Sequence, residues 1–403
     1  MTFKKINAWL HLWLGLGSGL IVFIVSITGC IYVFEDEITS LYQPYKFVEA
    51  RQQPFLQPTQ LINAAQPKMG EKKPNSIRYG QKDESVTVSN FNRKEGTSTV
   101  VYMNPYTAQV LHTDVKTKKD KPDFFRFILN GHRTLWLPHD IGKQVVGVGV
   151  LVFVILLISG IVLWWPKKWI KSIRDKSFKI KWNTSFKRKN YDLHNVLGFY
   201  ACLFLLLIAL TGLVFSYKWY SSGLYWLTSG GKSLPEFRRP LSDTTSMAAF
   251  QPSGVDKVYN KVVAENKDFG GMFINLPAKA ADAISLTVYL KAGTYYKANS
   301  YDYDQYTLMP LANNSPFGGK YKDAGIGDKL RRMNYDLHVG SIFGIPSKII
   351  AFLASLISAS LPITGFIIWY GKKFKKKKKA KNKPGITKPK VHRASQLKES
   401  AAI

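Results

Sequence analysis

The sequence has little of what soluble redox and metal proteins usually carry. Only two cysteines, Cys30 and Cys202, occur in 403 residues, and both sit inside apolar runs. That disfavours a disulfide scaffold, an iron–sulfur cluster and a cysteine-ligated zinc site. Acidic residues are scarce, 26 against 57 lysines and arginines, for a formal net charge of +31. No Gly-x-Gly-x-x-Gly follows a strand pattern, so nothing points to a nucleotide-binding turn. Gly15, Gly17 and Gly19 fall within an apolar run and read as positions of close helix packing. Histidine is also rare, with seven in the whole chain.

What the sequence does have is four long apolar runs, Leu12–Phe34, Val145–Trp165, Leu197–Phe215 and Ile349–Tyr370. Each approaches the roughly 20 residues that cross a hydrocarbon core of about 30 Å. The predicted class is an α-helical membrane protein with four transmembrane helices. Ile27-Thr28-Gly29-Cys30 looks like a lipoprotein cleavage site, but the apolar run continues past it to Phe34. The same feature returns mid-chain as Leu210-Thr211-Gly212-Leu213, where no signal peptide can lie.

Charge sets the expected orientation. The connector after the second run holds ten basic residues from Lys167 to Lys189 against Asp175 alone. The tail from Lys372 to Lys398 holds thirteen against Glu399 alone. With Lys4 and Lys5 these segments carry most of the excess charge, and the positive-inside rule places them in the cytoplasm beside anionic lipid. The net charge therefore needs no nucleic acid to explain it, and none is expected as a partner. Trp164, Trp165, Trp169, Trp369 and Tyr370 read as interfacial anchors.

The predicted organisation follows. Residues 1–34 form the first span with the N terminus inside, and 35–130 a first outer domain. Residues 131–166 form an outer interfacial segment and the second span, 167–190 a basic connector, and 191–219 the third span. Residues 220–330 form a second outer domain, 331–371 an interfacial segment with the fourth span, and 372–403 a basic tail. The first outer domain reads as a helix near Pro58–Ala65 and strands at Ser76–Tyr79, Ser85–Phe91 and Thr97–Met103. The second reads as a helix near Ser253–Glu265 and strands at Gly271–Asn275, Ala283–Leu290 and Thr294–Tyr301. Each is a small α+β unit.

The spans repeat. His11 precedes Thr28-Gly29 as His194 precedes Thr211-Gly212, with 18 residues from His to Gly in both. His132 precedes Ser159-Gly160 by 28 residues, and His338 precedes Thr364-Gly365 by 27, both counted to the glycine. Equal offsets place His11 and His194 at one depth near the inner face, and near-equal offsets place His132 and His338 at another near the outer face. Two imidazole pairs suit bis-imidazole ligation of haem in a helix bundle. Gly15 and Gly198, one turn after the inner histidines, would leave room for a flat ring. A lone histidine at a span end is ordinarily a snorkelling residue, but four at matched positions favour ligation. Zinc fits less well, because two histidines without cysteine or carboxylate make a poor set. His139, seven residues after His132, is the alternative outer ligand. His112 and His392 read as solvated. The outer histidines precede the apolar runs, and Pro138 and Pro346 intervene, so short amphipathic helices are expected to carry them.

At these residues the chain resembles the PepSY-associated transmembrane family, also called iron-regulated membrane proteins. Leu-His-x-x-x-Gly leading to Thr-Gly is matched at His11 and His194. His-x-Gly-x-x-Phe-Gly is matched at His338, Gly340, Phe343 and Gly344, and a Gly-Leu-Trp-Trp-Pro-like ending at Gly160 to Pro166. Around His132 the glycine pattern is replaced by Arg133-Thr134-Leu135-Trp136-Leu137-Pro138-His139. The resemblance covers nearly the whole chain except the lysine tail. It implies PepSY-like periplasmic domains and a bacterial inner-membrane protein with both termini cytoplasmic. It further implies an oxidoreductase with two b-type haems, passing electrons to a ferric siderophore or other iron chelate. The electron donor would be membrane quinol or a separate flavoprotein, since the chain offers no nucleotide site of its own. Two other readings stay open: a non-enzymatic sensor whose outer domains bind periplasmic partners, and a transporter, for which Pro362 is the one helix-breaking feature.

Overall fold

The apolar runs become helices because a buried backbone in hydrocarbon must satisfy its own hydrogen bonds. In a computed structural model, which describes residues 2–166, 168–245 and 252–381, four helices are long and apolar enough to cross a membrane. Chain order starts with α1 (Phe3–Tyr32) and α2 (Glu35–Tyr42), then α3 (Pro58–Met69). Strands β1 (Ser76–Tyr79), β2 (Val86–Asn92), β3 (Thr97–Met103) and β4 (Val110–Lys116) follow. Next are α4 (Phe124–Thr134), α5 (His139–Trp164), α6 (Lys171–Phe178), α7 (Phe186–Asp192), a π-turn at Leu193–Leu197, and α8 (Gly198–Ser216). The chain continues with α9 (Lys218–Thr228), α10 (Pro252–Glu265), β5 (Gly271–Asn275), β6 (Ile284–Tyr289) and β7 (Ala298–Tyr303). It ends with α11 (Ile326–Val339) and α12 (Ile345–Lys381). Lys167, His392 and the tail lysines beyond Lys381 lie outside the described residues.

Helices α1, α5, α8 and α12 pack as a ring in which each touches two neighbours. Their outward side chains stay bare: Leu20 and Leu203 are 72% and 74% exposed, as residues facing lipid would be. One end of the bundle carries the lysine-rich segments and the other carries a sheet; these are called the basic end and the sheet end. Trp164 departs from its expected interfacial role. It is buried, donates Nε1–H to the Ser177 carbonyl at 3.0 Å and stacks on Phe199, pinning α6 to α8. Trp165 and Trp169 stay exposed.

The two outer segments are not separate sheets. Their strands form one seven-stranded antiparallel sheet in the order β4-β3-β2-β1-β5-β6-β7. The join is β1 against β5, with Ile77 opposite Ile274 and Tyr79 opposite Met272. Alone, each half would leave a short edge strand unpaired and half a core uncovered, and joining them removes both edges. Alternation does the rest. Ile77, Tyr79, Val86, Val88, Val101, Met272, Ile274 and Leu286 face one side and are buried under α3 and α10. The two helices also cap each other: Asp256 Oδ1 accepts the Thr59 N–H at 2.9 Å, and Gln57 Nε2 donates to Asn260 Oδ1 at 2.9 Å. The opposite sheet face looks toward the bundle. β4 was not expected, and the third strand of the second half starts at Ala298 rather than Thr294, after a turn in which Gly293 takes φ +68°.

One shared core predicts one cooperative unit. Ile274→Ala, at a fully buried position, should cost about 2–5 kcal/mol. Limited proteolysis in nanodiscs should then open residues 35–130 and 220–330 together. Continued protection of 35–130 alone would mean that the halves fold apart.

Candidate functional site

The four matched histidines sit in four copies of one seat, and each seat is a Ser/Thr-Gly pair on another helix. His11 of α1 meets Ser159-Gly160 of α5, with its Nδ1 2.7 Å from Ser159 Oγ. His194, in the π-turn before α8, meets Thr364-Gly365 of α12, Nδ1 to Oγ1 2.9 Å. His132 of α4 meets Thr28-Gly29 of α1, and His338 of α11 meets Thr211-Gly212 of α8, at 3.5 and 3.2 Å from the hydroxyls. At three seats the glycine gives needed space: a Cβ on Gly29, Gly212 or Gly365 would stand 3.0, 3.1 and 3.3 Å from the Cε1 of its histidine, and one on Gly160 would meet His11 at 3.4 Å, ordinary contact. Gly15 and Gly198, expected to leave room for a flat ring, stand one turn after the inner histidines, where a Cβ would meet Leu156 and Leu361 at 3.8 and 3.5 Å.

The hydrogen bonds fix the tautomer. Each seat hydroxyl donates its own proton to a carbonyl one turn back: Ser159 to Leu156, Thr28 to Ile24, Thr211 to Leu207 and Thr364 to Ser360. It can therefore only accept from imidazole. The Val25 and Ile208 carbonyls also accept, at 2.9 Å from His132 Nδ1 and 3.0 Å from His338 Nδ1. Nδ1 must then carry the proton, and Nε2 is left as a bare lone pair. No Nε2 of these four rings has a hydrogen-bond partner among the described residues. Burial holds His132 and His338 below the ordinary imidazole range, which keeps both neutral.

At the sheet end two of the rings are neighbours: His132 and His338 have centroids 6.1 Å apart and planes at 57°. His11 and His194 both lie at the basic end, on α1 and in the π-turn before α8. The geometry puts His132, rather than His139, opposite His338. His139 opens α5, is 67% exposed and leans on Asp140 at 3.2 Å. His112 stacks on Tyr45 in the outer sheet, away from both pairs. The expected short helices before the second and fourth spans are α4 and α11. α11 ends on Gly340 at φ +76°, whereas α4 ends on Leu135 and Trp136 at φ +52° and +58°. Two non-glycine residues in left-handed backbone cost about 1–2 kcal/mol each. Trp136 offsets this by stacking on Phe127 and donating Nε1–H to the Phe127 carbonyl.

Three more residues belong to the seats, and the sequence reading missed them. Asn7, Asn190 and Asn334 each stand four residues before a histidine, one helical turn away. Their Nδ2 groups donate to the carbonyls of Ser159, Thr364 and Thr211, the same residues that hold the histidines, at 3.0, 3.0 and 3.2 Å. The visible signal was a pentapeptide: Asn-Tyr-Asp-Leu-His occurs identically at 190–194 and 334–338. Its aspartates are fully buried braces. Asp192 pairs with Arg188 at 2.7 Å, and Asp336 accepts Ser341 Oγ at 2.6 Å and the Tyr295 N–H. His132 has Ile128 at the clamp position, so its seat lacks this bond.

Eighteen residues of α1 separate His11 from Gly29, where His132 is seated, about 27 Å of helix. The two pairs therefore stand near opposite boundaries of a hydrocarbon core. The sheet-end pair opens on a cavity of about 1100 Å³ that reaches between the helices and up to the sheet. Among the described residues no group of three or more His, Cys, Asp or Glu could hold a bare metal ion. The family described as PepSY-associated TM region matches residues 8–372. No curated protein matches the chain.

The seats predict which glycines matter. Gly29→Ala and Gly212→Ala each push a methyl to about 3 Å from an imidazole carbon and should destabilise the protein by about 1–3 kcal/mol. Gly17→Ala and Gly223→Ala, where a Cβ meets nothing within 4 Å, should leave stability equal or slightly raised. Thermal unfolding in nanodiscs checks the contrast, and equal losses at all four would refute it.

Proposed function

The chain belongs to the PepSY-associated transmembrane family, and from that footing we propose that it is an inner-membrane dihaem b-type reductase acting on ferric chelates. His11 and His194 would hold one haem near the cytoplasmic face, and His132 and His338 the other near the periplasmic face. The observation that carries this is the sheet-end pair. These two imidazoles, from different helices, would hold a haem iron through their Nε2 atoms, which are left without partners among the described residues. The ring centroids of His132 and His338 stand 6.1 Å apart. Their Nδ1 protons are already committed to protein carbonyls, the arrangement that orients a metal-bound histidine and raises its basicity.

The haems, when bound, supply one-electron transfer. The chain supplies the rest. The seats would hold four imidazoles at two fixed depths, and the apolar bundle would keep water from the path between them. The lysine-rich end faces the cytoplasm by the positive-inside rule, which puts the sheet in the periplasm and reads the fold as a duplicated span–outer segment–span unit. The balance is simple. A quinol oxidised to quinone releases two electrons and two protons, and two Fe(III) chelates become Fe(II) chelates. Hard oxygen donors hold Fe(II) less firmly than Fe(III), so the metal can leave.

The test is a dithionite-reduced minus oxidised spectrum with haem quantitation on protein from haem-replete cells. About two low-spin b haems per chain are expected, with His11→Ala and His338→Ala each losing one. A well-folded protein without haem would defeat the proposal and leave a membrane sensor in its place.

A further inference from the structure

We propose that the cavity between the sheet and the bundle is the acceptor site, and that it takes an oxygen-donor iron chelate of net negative charge anchored by Arg78. This rests on the reductase reading and adds where the substrate sits and what charge it carries.

The roof of the cavity is the sheet face turned away from α3 and α10. Alternation decides what it shows. On β1, Ile77 and Tyr79 point into the core, so Arg78 between them points the other way. The neighbouring strands contribute Thr87, Ser89, Tyr102, Phe273 and Tyr289. Arg78 is thus the one charge among the strand residues that line the cavity, at the centre of the central strand, in a field of hydroxyls. The floor is the helix bundle with His132 and His338. A ligand under the roof would be in the same cavity as the imidazole pair.

The charge balance favours an anion. Arg78, Arg133, Lys143 and Lys291 all line the cavity and none makes an ion pair or side-chain hydrogen bond with a described residue. With Lys46 and Lys348, six basic side chains line the cavity against four acids, Glu35, Asp36, Glu37 and Glu84. Glu37 pairs with Lys348 at 2.7 Å, Glu84 accepts the Gln81 N–H at 3.0 Å, and Glu35 accepts from Tyr32. Asp36 stands near Lys46. A guanidinium without a partner on the sheet side of the cavity retains its fork for a bidentate contact with paired oxygens. Carboxylate, catecholate and similar chelating groups present such oxygens, and tyrosine rings on the roof and sides suit an aromatic ligand. The negative oxygens could instead be carboxylates of a resident haem, and the experiment separates the two sources.

The probes are gallium(III) complexes, which copy the shape of the ferric ones but take no electron. Binding of a tris-catecholate complex, net charge −3, and a neutral tris-hydroxamate complex is measured by calorimetry on the full chain in nanodiscs. Arg78→Gln should weaken the tris-catecholate at least tenfold and change the hydroxamate less than twofold, and Arg78→Lys should recover part of the loss. Haem content and spectrum should stay as in the wild type. Unchanged affinity of Arg78→Gln for the anionic complex, or no binding by the wild type, overturns the proposal. Lost haem with unchanged chelate affinity overturns it too and assigns Arg78 to the cofactor. The two readings fail separately. If gallium chelate binds through Arg78 but the dithionite-reduced protein does not reduce ferric citrate in the presence of a ferrous-iron trap, the reductase reading falls and the chelate site stands. If ferric citrate is reduced with the same half-saturation in both proteins, the reductase reading stands and the site falls.

Discussion

An imidazole inside a helix bundle needs a partner for its N–H, and that requirement organises this molecule. Leaving a buried donor unpaired costs about 1–3 kcal/mol, and hydrocarbon offers no water to help. The protein answers with a hydroxyl one turn above a free carbonyl and a glycine beside it. The hydroxyl spends its proton on its own helix, so it can only accept, and the carbonyl can only accept as well. The glycine lets the ring edge come to within about 3 Å of where a side chain would begin. The result is one ring nitrogen tied down and the other left bare, four times over. Helix spacing follows at the basic end, where the seats join α1 to α5 and the start of α8 to α12.

The two ends reach this outcome by different routes. At the basic end both histidines lie on the spanning rods themselves, and a π-turn at Leu193–Leu197 turns His194 toward Thr364. Such turns are rare and concentrate at functional sites. At the sheet end both histidines ride on short helices, α4 and α11, that lead from the sheet into the spans. Their position depends on the outer segments. Asp336 shows the connection: it is fully buried, accepts the Tyr295 N–H from the segment after β6, and holds Ser341 at the start of the turn into α12. The pairing of β1 with β5 then matters beyond the outer core, because it ties the helix that bears His132 to the helix that bears His338 through one sheet.

Much of this was legible in the residues. Run length gave the four spans, and period-two alternation found five of the seven strands nearly in place. Matched His-to-Gly offsets singled out the four histidines that the fold sets against Ser/Thr-Gly pairs. What was missed has physical causes. Periodicity reports which residues lie on a face and says nothing of partners, so the contact between β1 and β5, two short strands about 200 residues apart, left no trace. The glycine of each Ser/Thr-Gly pair marks depth in the sequence, and in the fold it also lies beside a histidine of a different helix, a contact that no local pattern reports. The asparagines were hidden for the same reason: Asn7, Asn190 and Asn334 bond to carbonyls more than 100 residues away.

The seat of His132 is the weakest of the four. It lacks the asparagine clamp, its hydroxyl contact is the longest at 3.5 Å, and its helix ends on two left-handed residues where α11 has glycine. Yet its Nδ1 is as close to a carbonyl as any, 2.9 Å from Val25. The carbonyl bond is thus the part of the seat that all else can vary around. It alone fixes the proton on Nδ1 and presents Nε2, whereas hydroxyl, clamp and glycine cap refine the fit. Where Trp136 crowds Gly131 and closes the α4 turn, packing stands in for the missing clamp, and the ring still arrives opposite His338. The departure of this stretch from the family pattern changes how the histidine is supported without changing which nitrogen it offers.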